Sequence, residues 1–335
     1  MNRVLAIRIL SVTIGLGAVC VAGGVTVMRH TNRVASDVIT RPAPELSERA
    51  HVLLPDLDDA VMVVPDRPHD PKEVRAEDRF ARITRLRTFR VSTNSLGMRS
   101  PELETPRARP RVLCLGDSVT FGWGVPYDDS WPARLAASLD VETINAGVPA
   151  MKPDSMAAWA RIHAASLAAD LVIFARRPDF STPDPWGSYQ RSVEIVQRAV
   201  APAPVLVALP PVSTFDTMGA PRWQQERQRI VRMLPRIPVL DLTEAFRSAL
   251  PRPGVVLDLD TPGKQRVMAL PGDTLLLEVD APGRGLAPEI VEMFESTEDL
   301  YEPLFFDGGH PTSEGFEVFN AALVAFIKEQ GLPSR

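Results

Sequence analysis

Two short segments far apart in the chain hold side chains that could do chemistry together. Gly116-Asp117-Ser118, followed by Phe121-Gly122 and Gly124, sets a serine in a glycine-punctuated turn. Asp307-Gly-Gly-His310-Pro311-Thr312 sets an acid and an imidazole three residues apart in one loop. A serine hydroxyl becomes a useful nucleophile only when a base takes its proton and a third group orients that base. The second segment offers both kinds of group. Each segment alone has a blander reading. Ser118 can cap a helix and Asp117 can brace its turn, while His310-Pro311 can announce a helix with Thr312 as N-cap. The remaining histidines, at 30, 51, 69 and 163, form no ligand pattern with His310, so neither a metal nor a cofactor is called for. A glycine-rich stretch from Gly283 to Ile290 echoes a nucleotide lid, but no second nucleotide signature accompanies it.

The elements around these segments indicate how they are positioned. Arg111-Val-Leu-Cys-Leu-Gly116 is an apolar run that ends directly in the serine turn, as a buried strand of a parallel sheet does. After it, strand and helix patterns alternate. Asp128 to Leu139 reads as a helix, and Val141 to Asn145 as a strand ending in Ala146-Gly147. Asp154 to Ala168 reads as a helix with Asp154 as its cap, and Leu171-Val-Ile-Phe174 as a fully apolar strand. Ser188 to Val200, Arg222 to Met233 and Glu244 to Leu250 read as helices. Between them lie strands at Val205 to Leu209 and Pro238 to Leu242. Thr312 to Gln330 closes the chain as a helix whose core face is Phe316, Phe319, Leu323 and Phe326. Such alternation predicts an α/β fold, a three-layer α/β/α sandwich around a parallel sheet with right-handed crossovers. Residues 252–300 break the rhythm with three short apolar segments separated by Pro-Gly turns, predicting a small antiparallel β insertion.

Ahead of this region the chain changes character. Ile9 to Met28 is an uncharged run of 20 residues, flanked by Arg3 and Arg8 before and Arg29 and Arg33 after. That length just spans a hydrocarbon core of about 30 Å and exceeds the usual apolar region of a cleaved signal peptide. It predicts residues 1–33 as an uncleaved signal anchor. Residues 34–87, rich in Pro, Asp and Arg, read as a stalk with a small N-terminal appendage. Thr88 to Thr93 reads as a strand and Asn94-Ser-Leu-Gly97 as the turn after it. Arginines on both flanks leave the positive-inside rule nearly silent on orientation. The formal net charge of −5 gives no reason to expect nucleic acid as a partner. Cys20 and Cys114, the two cysteines, cannot plausibly pair, and Cys114 reads as a small core hydrophobe.

Taken together, Gly116-Asp-Ser118 with Phe121-Gly122, Asn145-Ala-Gly147 and Asp307-x-x-His310-Pro resemble the SGNH/GDSL hydrolase superfamily. Asn94-Ser-Leu-Gly-Met-Arg99 is similar to a segment common in its membrane-anchored bacterial members. The resemblance covers roughly residues 88 to 330. It implies a flavodoxin-like sandwich over residues 88–335 and the catalytic residues Ser118, His310 and Asp307. Ser118 would attack an ester carbonyl. His310 would carry the proton to the leaving alcohol, a task suited to histidine because an unperturbed imidazole titrates at about 6.5, and Asp307 would hold its tautomer.

The resemblance further implies an oxyanion hole built from the N–H groups of Ser118 and Gly147 and from an asparagine in a third block. This chain departs from that pattern. Ala175-Arg176-Arg177-Pro178-Asp179 follows the strand at Leu171, and Pro178, which has no N–H, stands in the asparagine's place. Arg176 or Arg177 is the candidate replacement. The competing reading makes the pair a surface loop salt-bridged to Asp179 or Asp184. The function implied is an extracytoplasmic, inner-membrane (periplasmic) serine esterase acting on an ester-bearing small molecule or glycan, foremost an acetyl ester of a carbohydrate. Two alternatives stand beside it. One is a polysaccharide O-acetyltransferase using the same residues, for which a membrane acyltransferase is a conceivable partner. The other is a catalytically inactive scaffold that binds glycan or a membrane partner.

Overall fold

A computed structural model describes residues 38–48, 50–66, 85–211, 221–249, 255–259, 265–270, 274–279, 304–305 and 310–332. The apolar run at 9–28, Asp307 and the 283–290 stretch lie outside them. Among the described residues, no helix is long and apolar enough to cross a membrane.

In chain order, β1 (Thr40–Pro42) and β2 (His51–Leu53) form an antiparallel hairpin. Strands β3 (Ala60–Asp66) and β4 (Arg85–Val91) pair with each other. The α/β rhythm then begins. It comprises β5 (Arg111–Gly116), α1 (Ser118–Phe121), a 3-10 turn at Tyr127–Asp129, α2 (Trp131–Leu139), β6 (Glu142–Gly147) and α3 (Pro153–Leu167). It continues with β7 (Leu171–Ala175), α4 (Pro185–Val200), β8 (Val205–Leu209), α5 (Pro221–Met233), β9 (Val239–Asp241) and α6 (Thr243–Ala249). Strands β10 (Val255–Leu259), β11 (Gln265–Leu270) and β12 (Thr274–Val279) form an antiparallel sheet of their own, as their Pro-Gly punctuation predicts. Helix α7 (Ser313–Glu329) is the last element.

The chain divides into two compact units, one of residues 36–63, 88–253 and 302–335, the other of residues 1–35, 64–87 and 254–301. The three-stranded sheet belongs to the second. The first is built on a five-stranded sheet in the order β6-β5-β7-β8-β9, every pair parallel. This is the flavodoxin-like order, in which the chain reverses its direction of growth between β5 and β7. The crossovers β5→β6 through α2 and β6→β7 through α3 run in opposite directions across the sheet, so right-handed connections place α2 and α3 on opposite faces. Helix α3 packs with α4, while α2 packs with α7 and α7 with α6, giving the two outer layers. Leu113, Cys114, Ile144, Ile173, Phe174, Leu206 and Val207 are fully buried between those layers, and burial holds the Cys114 thiol strongly protonated. Trp131 of α2 stacks on Phe319 of α7 with ring centroids 5.1 Å apart.

Several boundaries differ from the sequence expectation for local reasons. Asp154 does not cap α3. Pro153 starts the helix one residue earlier, and the Asp154 carboxylate accepts from the N–H of Ser155 inside the first turn. Helix α4 begins at Pro185 because Asp184 caps it, accepting from Gly187 N at 2.9 Å. On α7 the fourth core position is Ile327, not Phe326. Ile327 lies four residues beyond Leu323 on the buried face and is fully buried.

The largest difference concerns the segment read as a stalk. Ile39, Ala43 and Leu53 are buried, and Ser47 Oγ meets Ser155 Oγ of α3 at 3.2 Å. Thr93 Oγ1 donates to Leu54 O and accepts from Leu57 N. Residues 36–63 are therefore part of the α/β unit, tied to it by their few apolar side chains and by hydrogen bonds to residues 92–94.

Candidate active site

In an open parallel sheet, ligands gather beyond the carboxyl ends of the strands, at the point where strand order reverses. Here that crevice lies between the ends of β5 and β7, where Gly116 pairs with Ala175. Ser118 follows the first strand and Arg176 the second.

The serine turn is built by a glycine and a cap. A Cβ on Gly116 would lie 1.9 Å from Thr120 Oγ1 and 2.9 Å from Ala175 O, so the helix can fold back on the strand end only with glycine there. Asp117 is the N-cap of α1, its carboxylate accepting from Val119 N at 3.0 Å. Ser118 is thus the first helical residue, not the cap. Helix α1 is a single turn that ends at Gly122 in the left-handed conformation, φ 82°.

His310 arrives from the opposite end of the chain. Phe305 and Pro311 form a β-bridge, and Thr312 N donates to Leu304 O at 2.9 Å. Thr312 then caps α7 by accepting from Gly315 N, as the helix-start reading expected. Immediately before the bridged Pro311, His310 Nε2 comes to 2.8 Å from Ser118 Oγ. The indole of Trp123 lies beside the imidazole, centroids 6.1 Å apart. Ser118 and His310 are therefore brought together, while Asp307 lies outside the described residues.

The two arginines after β7 go different ways. The Arg176 guanidinium forms an ion pair with Asp117, next to the serine, and its backbone carbonyl accepts from the buried Tyr189 hydroxyl at 2.8 Å. Burial holds that phenol in its protonated form. Arg177 turns toward the carboxyl ends of β8 and β9. It donates to Pro210 O and Thr243 Oγ1 and lies 3.6 Å from both Glu226 and Asp241. Its guanidinium does not reach Ser118. Nor do the arginines pair with Asp179 or Asp184, which are taken by Lys152 at 2.9 Å and by Arg191 at 3.3 Å.

Gly147 is held tightly against α1. A Cβ there would lie 2.3 Å from Phe121 N, so the glycine lets β6 abut α1. Its N–H, however, donates to Asn145 Oδ1 at 3.0 Å. That donor is engaged within its own strand. Asn145 is fully buried, and its backbone N–H donates to Ser100 Oγ at 2.7 Å.

Sequence reading gave no role to Arg99. It is fully buried, and its guanidinium donates to the carbonyls of Phe121, Gly122 and Val125 at 2.7–2.8 Å and to Arg90 O at 3.1 Å. Burial lowers its pKa to about 10, still charged at neutral pH. The signal available in sequence was the turn in front of it. Asn94 Oδ1 accepts from Leu96 N and Met98 N, and Gly97 takes φ 72°. Among the described residues, no group of His, Cys, Asp and Glu is arranged to hold a metal ion.

No family model matches the chain, and no curated protein matches it. Solved structures do. A putative lipolytic protein of the G-D-S-L family from Desulfitobacterium hafniense aligns over 64% of this chain and 98% of its own, at 17% identity and a TM-score of 0.42. An acetyl-xylooligosaccharide esterase mutant from Geobacillus Stearmophilus aligns over 68% and 97%, at 13% identity and 0.41. A family two carbohydrate esterase from Clostridium thermocellum aligns over 66% and 64%, at 11% identity and 0.39.

Proposed function

We propose that this chain is a serine esterase of the SGNH/GDSL type, held at the membrane by residues 1–33 with its α/β unit outside the cytoplasm. Its substrate class is an acetyl ester of a carbohydrate, a choice that follows from the motif resemblance and that location. The observation that carries the chemistry is the 2.8 Å approach of Ser118 Oγ to His310 Nε2 at the switch point of a parallel sheet.

In this reading the Ser118 hydroxyl donates to Nε2 of a neutral imidazole. As Oγ bonds to the ester carbonyl carbon, its proton passes to His310 and the carbonyl oxygen becomes an oxyanion. Asp307, three residues earlier in the same loop, stabilises the imidazolium. Collapse of the tetrahedral intermediate expels the sugar alkoxide, which takes the proton from His310 and leaves an acetyl-serine. Water then repeats the sequence, releasing acetate and restoring Ser118. Two donors serve the oxyanion. One is the Ser118 N–H, which has no partner within the helix because it lies in the first turn of α1. The other is Arg176, whose guanidinium Asp117 holds at the edge of the serine turn.

A second reading, an inert glycan-binding scaffold, draws on the Gly147 N–H being engaged by Asn145 and on Pro178 having no donor. A serine-reactive phosphonate separates the two. The esterase reading expects covalent labelling of the full chain at Ser118, abolished in Ser118→Ala and in His310→Ala. An unlabelled wild-type protein with no turnover of a chromogenic acetate ester would establish the scaffold.

A further inference from the structure

Helix α1 is four residues long, too short to hold its own shape in isolation. Its amino end is held by the Asp117 cap, so something must hold its carboxyl end. The Ser118 carbonyl accepts from Gly122 N at 3.1 Å and Trp123 N at 3.0 Å. The next carbonyls out, those of Phe121, Gly122 and Val125, all converge on the Arg99 guanidinium. That guanidinium is fully buried and lies over the Phe121 ring at 4.7 Å and the Phe89 ring at 5.6 Å. A buried cation is costly unless its surroundings compensate it, and here carbonyl dipoles at the negative end of the helix do so.

We propose that Arg99 is a positioning residue of the active site, clamping the Phe121–Val125 carbonyls so that Ser118 and His310 are held in reacting geometry. The inference rests on the esterase reading above. Two routes connect the clamp to the chemistry. Through Gly122 and Trp123, whose N–H groups hold the Ser118 carbonyl, it fixes the direction of the Ser118 side chain and N–H. Through the Trp123 ring it backs the imidazole of His310. The turn Asn94–Gly97 is then the device that inserts Arg99 beneath the nucleophile. It is itself pinned, since a Cβ on Gly97 would lie 2.9 Å from Leu53 O of the preceding hairpin.

Arg99→Lys keeps the charge and loses the planar fork that reaches several carbonyls at once. Gly122→Ala disturbs the same clamp from the other side, because at a φ of 82° its Cβ would lie 2.7 Å from Ser130 Cβ and 3.0 Å from Arg99 Nη1. For each folded variant, kcat on an acetate ester is expected to fall about 10²-fold with KM changed less than about threefold, and the phosphonate labelling rate to fall in parallel. A merely structural role would lower the folded fraction and leave kcat per folded molecule intact. Folding is read by circular dichroism and thermal melting, and if Arg99→Lys does not fold, Gly122→Ala carries the test. Wild-type kcat in either folded variant overturns the positioning role and leaves the esterase reading standing. A wild-type protein inert to both ester and phosphonate removes the esterase reading, and the positioning role with it.

Discussion

The turn after β5 and the loop after β7 leave neighbouring strands at the same level, with Gly116 opposite Ala175, yet they are held in opposite ways. The first is held by backbone. It uses a glycine that allows close approach, an aspartate cap, and carbonyls gathered by a buried arginine. The second is held by charge. Arg176 is anchored to Asp117 on one side of the crevice, while Arg177 is buried among Glu226, Asp241 and Thr243 on the other. Two identical residues at adjacent positions thus do different work, because consecutive side chains leaving a strand point to opposite sides. One stays beside the serine turn, paired with Asp117, and the other is buried against Glu226 and Asp241.

That contrast can be broken at four points, in order of decreasing effect. Ser118→Ala is expected to lower kcat on an acetate ester by about 10⁴-fold or more, measured against the folded wild-type protein. Arg177→Ala removes the buried cation beside Glu226 and Asp241 and should cost about 3–5 kcal/mol in a urea melt, with kcat per folded molecule near wild type. Arg176→Ala is expected to do the reverse. It should lower kcat by about 10²-fold while shifting the unfolding free energy by only about 1 kcal/mol, because its side chain is partly exposed. Equal behaviour of the two arginine variants would erase the distinction between them. Thr312→Ala removes the cap of α7 and should cost about 1 kcal/mol in the same melt.

Much of this was legible in the chain. The apolar run from Arg111 to Gly116 predicts a buried parallel strand, and it is buried at every residue. The Pro-Gly turns of 252–300 predict antiparallel strands, and three are found. The short apolar clusters of 36–63 were not legible as core, because each is too small to signal burial until β1, β2 and α3 come together. Asn94–Gly97 was legible as a turn, but its purpose was not, because Arg99 acts on carbonyls of residues 121–125, which no local pattern advertises.

By itself the sequence determined the period of each element, the glycine and cap of the serine turn, and the pairing in type of Ser118 with His310. Those depend on residue-by-residue sterics and on hydrogen bonds a few positions apart. Only the tertiary structure decided which arginine pairs with Asp117, that Asn145 occupies the Gly147 N–H, and that a buried Arg99 clamps the end of α1. Those outcomes rest on where side chains from distant segments meet, and long-range juxtaposition is set by packing around the sheet and leaves no mark in local spacing.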